Sequence, residues 1–221
     1  MKNIAIIIFD QFTDIDLFLM WDLLGRNKTD WNVRILGTKQ THQSCNGLPI
    51  PTHSHLSESK NADVVLFSSG KGTRAAIKDP DFLRAIVLDP QRQLIGSICS
   101  GALILASLGL LKDLTATTHP RAKAELQSFG VKTLDLPLVC HQNIATAGGC
   151  LSAVYLVGWV IELLYGANKR NELIKEVLPV GQQALYESII LSSIQEGLVD
   201  GAAPDRSAGL LLNSNRIISR L

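Results

Sequence analysis

Residues 94–103 read Leu94-Ile95-Gly96-Ser97-Ile98-Cys99-Ser100-Gly101-Ala102-Leu103. The first five are apolar or small, and their run is short enough for a strand buried on both faces. It delivers Cys99 to a point where Ser100, Gly101 and Ala102 leave room for a sharp turn into a helix. Strand, exposed nucleophile and helix start together follow the logic of a nucleophile elbow, set at the carboxyl end of a parallel sheet. Helix-start N–H groups aimed at the sulfur are expected to lower the thiol pKa and to hold an oxyanion. Cys99 is therefore read as a nucleophile and not as a packing residue.

The neighbouring segments repeat the alternation of strand and helix. Ile4–Phe9 is an unbroken apolar strand, and a polar turn over Asp10–Thr13 follows it. Ile15, Leu17, Phe18, Trp21, Leu23 and Leu24 have helical spacing, with Gly25 as the expected stop. Strands are predicted over Trp31–Leu36 and Asp63–Phe67, with a hairpin at Asn46-Gly47 between them. After the elbow helix come a short strand at Leu114–Thr118 and a helix over Pro120–Phe129. Two short strands then surround a tight connection, Leu138–His141 and Asn143–Thr146. Ala147-Gly148-Gly149 precedes a long apolar helix over Leu151–Tyr165, and two more helices follow. This order predicts an α/β three-layer sandwich, with a mostly parallel sheet flanked by helices. One domain is expected over residues 1–196. Residues 197–221 change to a small and polar composition and read as a flexible or appended C-terminal tail.

Composition narrows the class. Lys+Arg is 21 against Asp+Glu 20, which excludes a broad electrostatic footprint for nucleic acid. No apolar stretch reaches the ~18 residues of a membrane span, and the N-terminus lacks the pattern of a secretory leader. The four cysteines show neither CxxC nor framework spacing, so a reducing, cytoplasmic location is expected. Cys140 and Cys150 read as packing residues. His42, His53 and His55 lack the partners and spacing of a metal site, and no metal is expected.

Several blocks occur in the order found in one superfamily. They are Phe9–Asp16, Asp63–Gly70, Ser97-Ile98-Cys99-Ser100-Gly101, Ala116-Thr117-Thr118-His119 and Ala147-Gly148-Gly149. Over residues 3–178 the chain resembles the DJ-1/PfpI (ThiJ) superfamily, with its class I glutamine amidotransferase-like fold of flavodoxin-like type. Within it, the blocks are similar to those of isonitrile hydratase and of the ligand domains of AraC-type regulators. The resemblance implies a cysteine-dependent enzyme that hydrates an isonitrile to an N-substituted formamide. It places the nucleophile on Cys99 and the acid/base on Asp16. Ser100 and the Gly70 amide would be supporting donors in the oxyanion or substrate site, and His119 a residue behind it. It implies a small-molecule substrate, no cofactor and a homodimer.

Three positions depart from the pattern. Ser100 replaces threonine, Ser68-Ser69-Gly70 replaces Pro-Gly-Gly, and Pro120 replaces a tryptophan after the Ala-Thr-Thr-His block. Ser100 also stands where peptidase members carry histidine, which disfavours proteolysis. Two alternatives remain. One is a non-catalytic or redox-responsive sensor domain, although the stretch after Leu178 is short for a paired helix-turn-helix domain. The other is glyoxalase- or deglycase-like activity on small aldehydes, which usually goes with a glutamate in place of Asp16.

Overall fold

The computed structural model describes residues 1–199. The expected tail lies almost wholly outside the described residues. Seven strands form one sheet: β1 (Lys2–Ile7), β2 (Trp31–Gly37), β3 (Ser54–His55), β4 (Val64–Phe67), β5 (Leu94–Ile98), β6 (Leu138–His141) and β7 (Ile144–Ala147). Their spatial order is β6-β7-β5-β4-β1-β2-β3. Every pair is parallel except the hairpin β6–β7 at one edge. The short apolar runs of β1, β4 and β5 sit at the centre, where both faces need cover.

Alternation along the strands divides the core in two. Ile4 and Ile6 of β1, with Val64 and Leu66 of β4, face α1 (Asp14–Gly25) and α3 (Ala153–Tyr165) through Leu17, Met20, Leu156 and Val160. Ala5, Ile7, Val65, Phe67 and Ile95 face the other layer. They meet Leu103 of α2 (Ala102–Ser107), Phe82 of the helix Pro80–Ala85 and Leu126 of the helix Lys123–Ser128. The period of two, read outward to both faces, is the three-layer sandwich that the sequence predicts. After α3, α4 (Ala167–Lys175) and α5 (Gln183–Gly197) complete the α1 side, and Val199 N–H still reaches the Cys140 carbonyl of β6.

Gly25 is the last residue of α1, where the sequence places the stop, and Arg26 beyond it is still right-handed. One local expectation is corrected. Only Thr115–Ala116 of the expected Leu114–Thr118 strand is extended, and it pairs with Lys132–Thr133 outside the main sheet. The Asn46-Gly47 hairpin is present, Thr41–Gln43 against Pro49–Pro51, with Gly47 at φ 85°.

Register is what positions the site. Ile7 lies beside Phe67, Phe67 beside Ser97, and Ile98 beside Ala147. Four parallel strands thus end almost level, and their following loops rise from one edge of the sheet. That edge is where open α/β sheets place their ligands.

Candidate active site

Cys99 leaves β5 with φ 50°, a left-handed conformation that is uncommon for a residue with a side chain. The strained turn is held from two sides. Thr118 Oγ1 donates to the Cys99 carbonyl at 2.8 Å. Gly101 lies so close to the end of β4 that a Cβ there would meet the Ser68 carbonyl oxygen at 2.7 Å. A glycine two residues past the cysteine is therefore a packing requirement of the elbow, and the turn is the strained kind found at functional positions.

Asp16 is the third residue of α1 and is fully buried. It arrives there because the loop before α1 is stitched to the loop after β4. Thr13 N–H donates to the Ser69 carbonyl at 2.6 Å, and Phe12 bridges Gly70. Gly70 has φ 156°, and a Cβ there would collide with the Gln11 carbonyl oxygen. With the loops stitched, the Ser69 hydroxyl donates to Asp16 Oδ2, while the Cys99 thiol lies 3.7 Å from Oδ1. Asp14 instead lies toward the hairpin, accepting from Asn46 Nδ2 at 2.9 Å.

Cys150, expected to be a packing residue, belongs to the site. It opens the short turn before α3, half-buried, with its sulfur 3.7 Å from Cys99 Sγ. Ligand atoms of Asp16, Cys99 and Cys150 all lie within 4.8 Å of one another, the one such trio of metal-ligating residue types among the described residues. The expected supporting donors form a cluster beside it. Gly70 N–H points to Thr73 Oγ1 at 3.1 Å and to Ser100 Oγ at 3.4 Å, and the two hydroxyls are 3.0 Å apart. His119 accepts from the Arg121 amide of its own turn at 3.2 Å. Outside the site, His42 Nδ1 is 2.9 Å from Asp10 Oδ1, and His53 Nδ1 accepts from the Ile35 amide while its ring stacks on Trp21.

The expected lowering of the thiol pKa is not what the surroundings produce. Burial pushes the Cys99 thiol far up, and the Asp16 charge and then Cys150 push it further. The helix after the elbow is too weak a counterweight: a three-residue turn leads into only six residues of α2. The Cys150 thiol is also raised, by burial first and by Asp16 next. Cys140 lies in the core of β6 and is raised by burial alone. The surroundings therefore favour the protonated thiol of Cys99, beside the carboxyl group of Asp16.

Sequence reading missed Ser69 and Cys150. Ser69 carried a signal, since it is one of the departures from the family pattern. The replacement gives Asp16 a donor that glycine lacks. Ser69→Ala is expected to lower kcat/KM for the substrate about tenfold, the scale of one hydrogen bond to a charged group. Its circular dichroism spectrum should match the unsubstituted protein's, and an unchanged kcat/KM would remove Ser69 from the site.

The profile of the DJ-1/PfpI family matches residues 2–163. This chain belongs to the DJ-1/PfpI family. It is 23% identical over 216 residues to the isonitrile hydratase of Pseudomonas putida, covering 96% of this chain and 93% of that protein. It is 26% identical over 121 residues to the glutathione-independent glyoxalase DJ-1 of Schizosaccharomyces pombe, covering 53% of this chain and 63% of that one. An AraC family transcriptional regulator from Pseudomonas putida superposes with TM-score 0.68 at 17% identity, covering 81% of this chain and 100% of that structure. The fold is thus shared with that regulator. Among the described residues, no helix is long and apolar enough to cross a membrane.

Proposed function

We propose that this DJ-1/PfpI family member is a cysteine-dependent enzyme of isonitrile hydratase type, converting R–N≡C and water to the formamide R–NH–CHO. The observation that carries the reading is the Cys99 thiol held 3.7 Å from a buried carboxylate oxygen of Asp16. An isonitrile carbon must receive both a nucleophile and a proton. Cys99 Sγ attacks that carbon while its proton passes to Asp16 Oδ1, and Asp16 returns the proton to the same carbon. The product is a thioimidate, R–N=CH–S, on Cys99. Water then adds to the thioimidate carbon, and Asp16 takes one of its protons and passes it to the nitrogen. The C–S bond breaks, the remaining hydroxyl proton passes through Asp16 to the Cys99 sulfur, and the formamide R–NH–CHO leaves.

Ser69 keeps Asp16 in place, and the Ser100 hydroxyl, positioned by the Gly70 N–H that donates to it and to Thr73, supports the nitrogen or the oxygen of the tetrahedral intermediate. None of these steps requires a cofactor. Similarity to isonitrile hydratase along 96% of the chain supports this substrate class. A homodimer is part of the same proposal.

The second reading is glyoxalase-type conversion of a small 2-oxoaldehyde, favoured by the match to the Schizosaccharomyces pombe glyoxalase. An aspartate in place of the glutamate usual in that chemistry shortens the acid by one methylene and counts against it. The two separate in one assay, in which the protein is supplied in parallel with a simple alkyl isonitrile and with methylglyoxal. Formamide from the first and no hydroxyacid from the second is the expected result. Hydroxyacid alone would replace the hydratase reading with the glyoxalase one.

A further inference from the structure

The hydratase mechanism uses Cys99 and leaves Cys150 idle, although the two sulfurs are 3.7 Å apart and both thiols are free. A disulfide needs about 2.05 Å, so closure asks for a movement of less than about 2 Å. Both backbones are held, that of Cys150 by Gly148, where a Cβ would meet Thr117 Oγ1 at 2.6 Å, and by the Ser152 N–H, which donates to the Gly149 carbonyl at 2.9 Å. The Cys99 backbone is pinned by Thr118 and by the packing of Gly101. Cys150 follows Gly148-Gly149, and Gly149 sits at φ 93° with open space around its Cα.

We propose that Cys99 and Cys150 form a peroxide-reactive dithiol, which closes to an intramolecular disulfide and reversibly masks the nucleophile. Access orders the steps. Cys150 is half-buried while Cys99 is only 3% exposed, so a hydroperoxide meets Cys150 first. Its sulfur attacks the terminal peroxide oxygen and the O–O bond breaks. Cys150 becomes a sulfenic acid, and the alcohol or water leaves with the thiol proton. Cys99 Sγ then attacks Cys150 Sγ and the S–O bond breaks. The departing hydroxide takes the Cys99 proton by way of Asp16 Oδ1 and leaves as water. Two thiols lose two electrons, and the hydroperoxide is reduced to an alcohol (or water) and water.

The other two cysteines are placed differently. Cys45 Sγ donates to the Gln11 carbonyl at 3.0 Å, and Cys140 is buried in β6. Burial raises both reacting thiols, so closure is expected to accelerate as pH rises and the thiolate fraction grows.

The test treats the purified full chain with one equivalent of hydrogen peroxide and reads intact mass and free thiols without reductant. The expected product has lost two hydrogens and two of its four free thiols. Digestion should link the peptide of Cys99 to the one carrying Cys150, and dithiothreitol should restore all thiols. Cys140→Ala should retain the link and Cys150→Ser should abolish it.

Dibromobimane on the unoxidised protein gives a readout that needs no variant, since it is expected to bridge the same two sulfurs. Added oxygen on either cysteine without a link, or a link through Cys45 or Cys140, would overturn the proposal. No isonitrile is present in any arm, so the result is independent of the hydratase reading.

Discussion

Cys99→Ala is expected to lower turnover of an alkyl isonitrile by at least about 10⁴-fold, to the rate of the uncatalysed reaction. The expectation rests on the covalent route, in which every productive step passes through the Cys99–carbon bond. Alanine leaves Asp16 and Ser69 in place, but carboxylate and hydroxyl alone offer no soft nucleophile for the isonitrile carbon. The substitution should be tolerated structurally. It removes one buried atom from a turn held by the Thr118 hydroxyl and by the contact of Gly101 with the Ser68 carbonyl. Alanine at φ 50° carries the same local strain as cysteine. Progress curves of formamide formation and a thermal melt measure the two effects separately. Substantial residual turnover in a folded Cys99→Ala protein would move the nucleophile elsewhere.

Asp16→Asn should reduce turnover by about 10²- to 10⁴-fold, the range for loss of a positioned general acid/base. The same change has an opposite effect on the thiol. The Asp16 charge is the second cause, after burial, that holds the Cys99 thiol up. Removing that charge lowers the thiol pKa, so at a given pH more thiolate is present. Iodoacetamide should then alkylate Cys99 faster in Asp16→Asn than in the unsubstituted protein, even as turnover falls. A residue that merely supported the fold would not move the two readouts in opposite directions. Parallel loss of both would mean that Asp16 holds the elbow together and transfers no proton.

Much of this was legible in the sequence because it depends on local chemistry. The buried strand Leu94–Ile98, the small residues after Cys99 and the strand-helix alternation each constrain the backbone without distant help. They give the elbow and the three-layer sandwich together. Asp16 was legible through the family pattern, although its burial on Cys99 depends on the stitching of Thr13 to Ser69.

The environment of the sulfur was not legible. A strand followed by a helix start suggests an activated thiol. The sign of the shift is instead decided by burial and by a carboxylate distant in sequence and close in space. Cys150 was hidden for the same reason. It enters the site only because Ala147 is in register with Ile98, and register between β5 and β7 is a property of the assembled sheet. Ser69 shows the converse case. What reads as the loss of a glycine from a loop is, in the fold, the gain of a hydrogen-bond donor to Asp16.

The most direct measurement is to mix the protein with excess alkyl isonitrile, quench in acid on the millisecond scale and record the intact mass. A thioimidate adds the whole isonitrile to the protein. The expected adduct therefore has that mass, appears before formamide accumulates, and maps to the peptide containing Cys99. Formamide released at the full rate, with no adduct at any quench time and with Cys99 still free to alkylation throughout, would contradict covalent catalysis by Cys99.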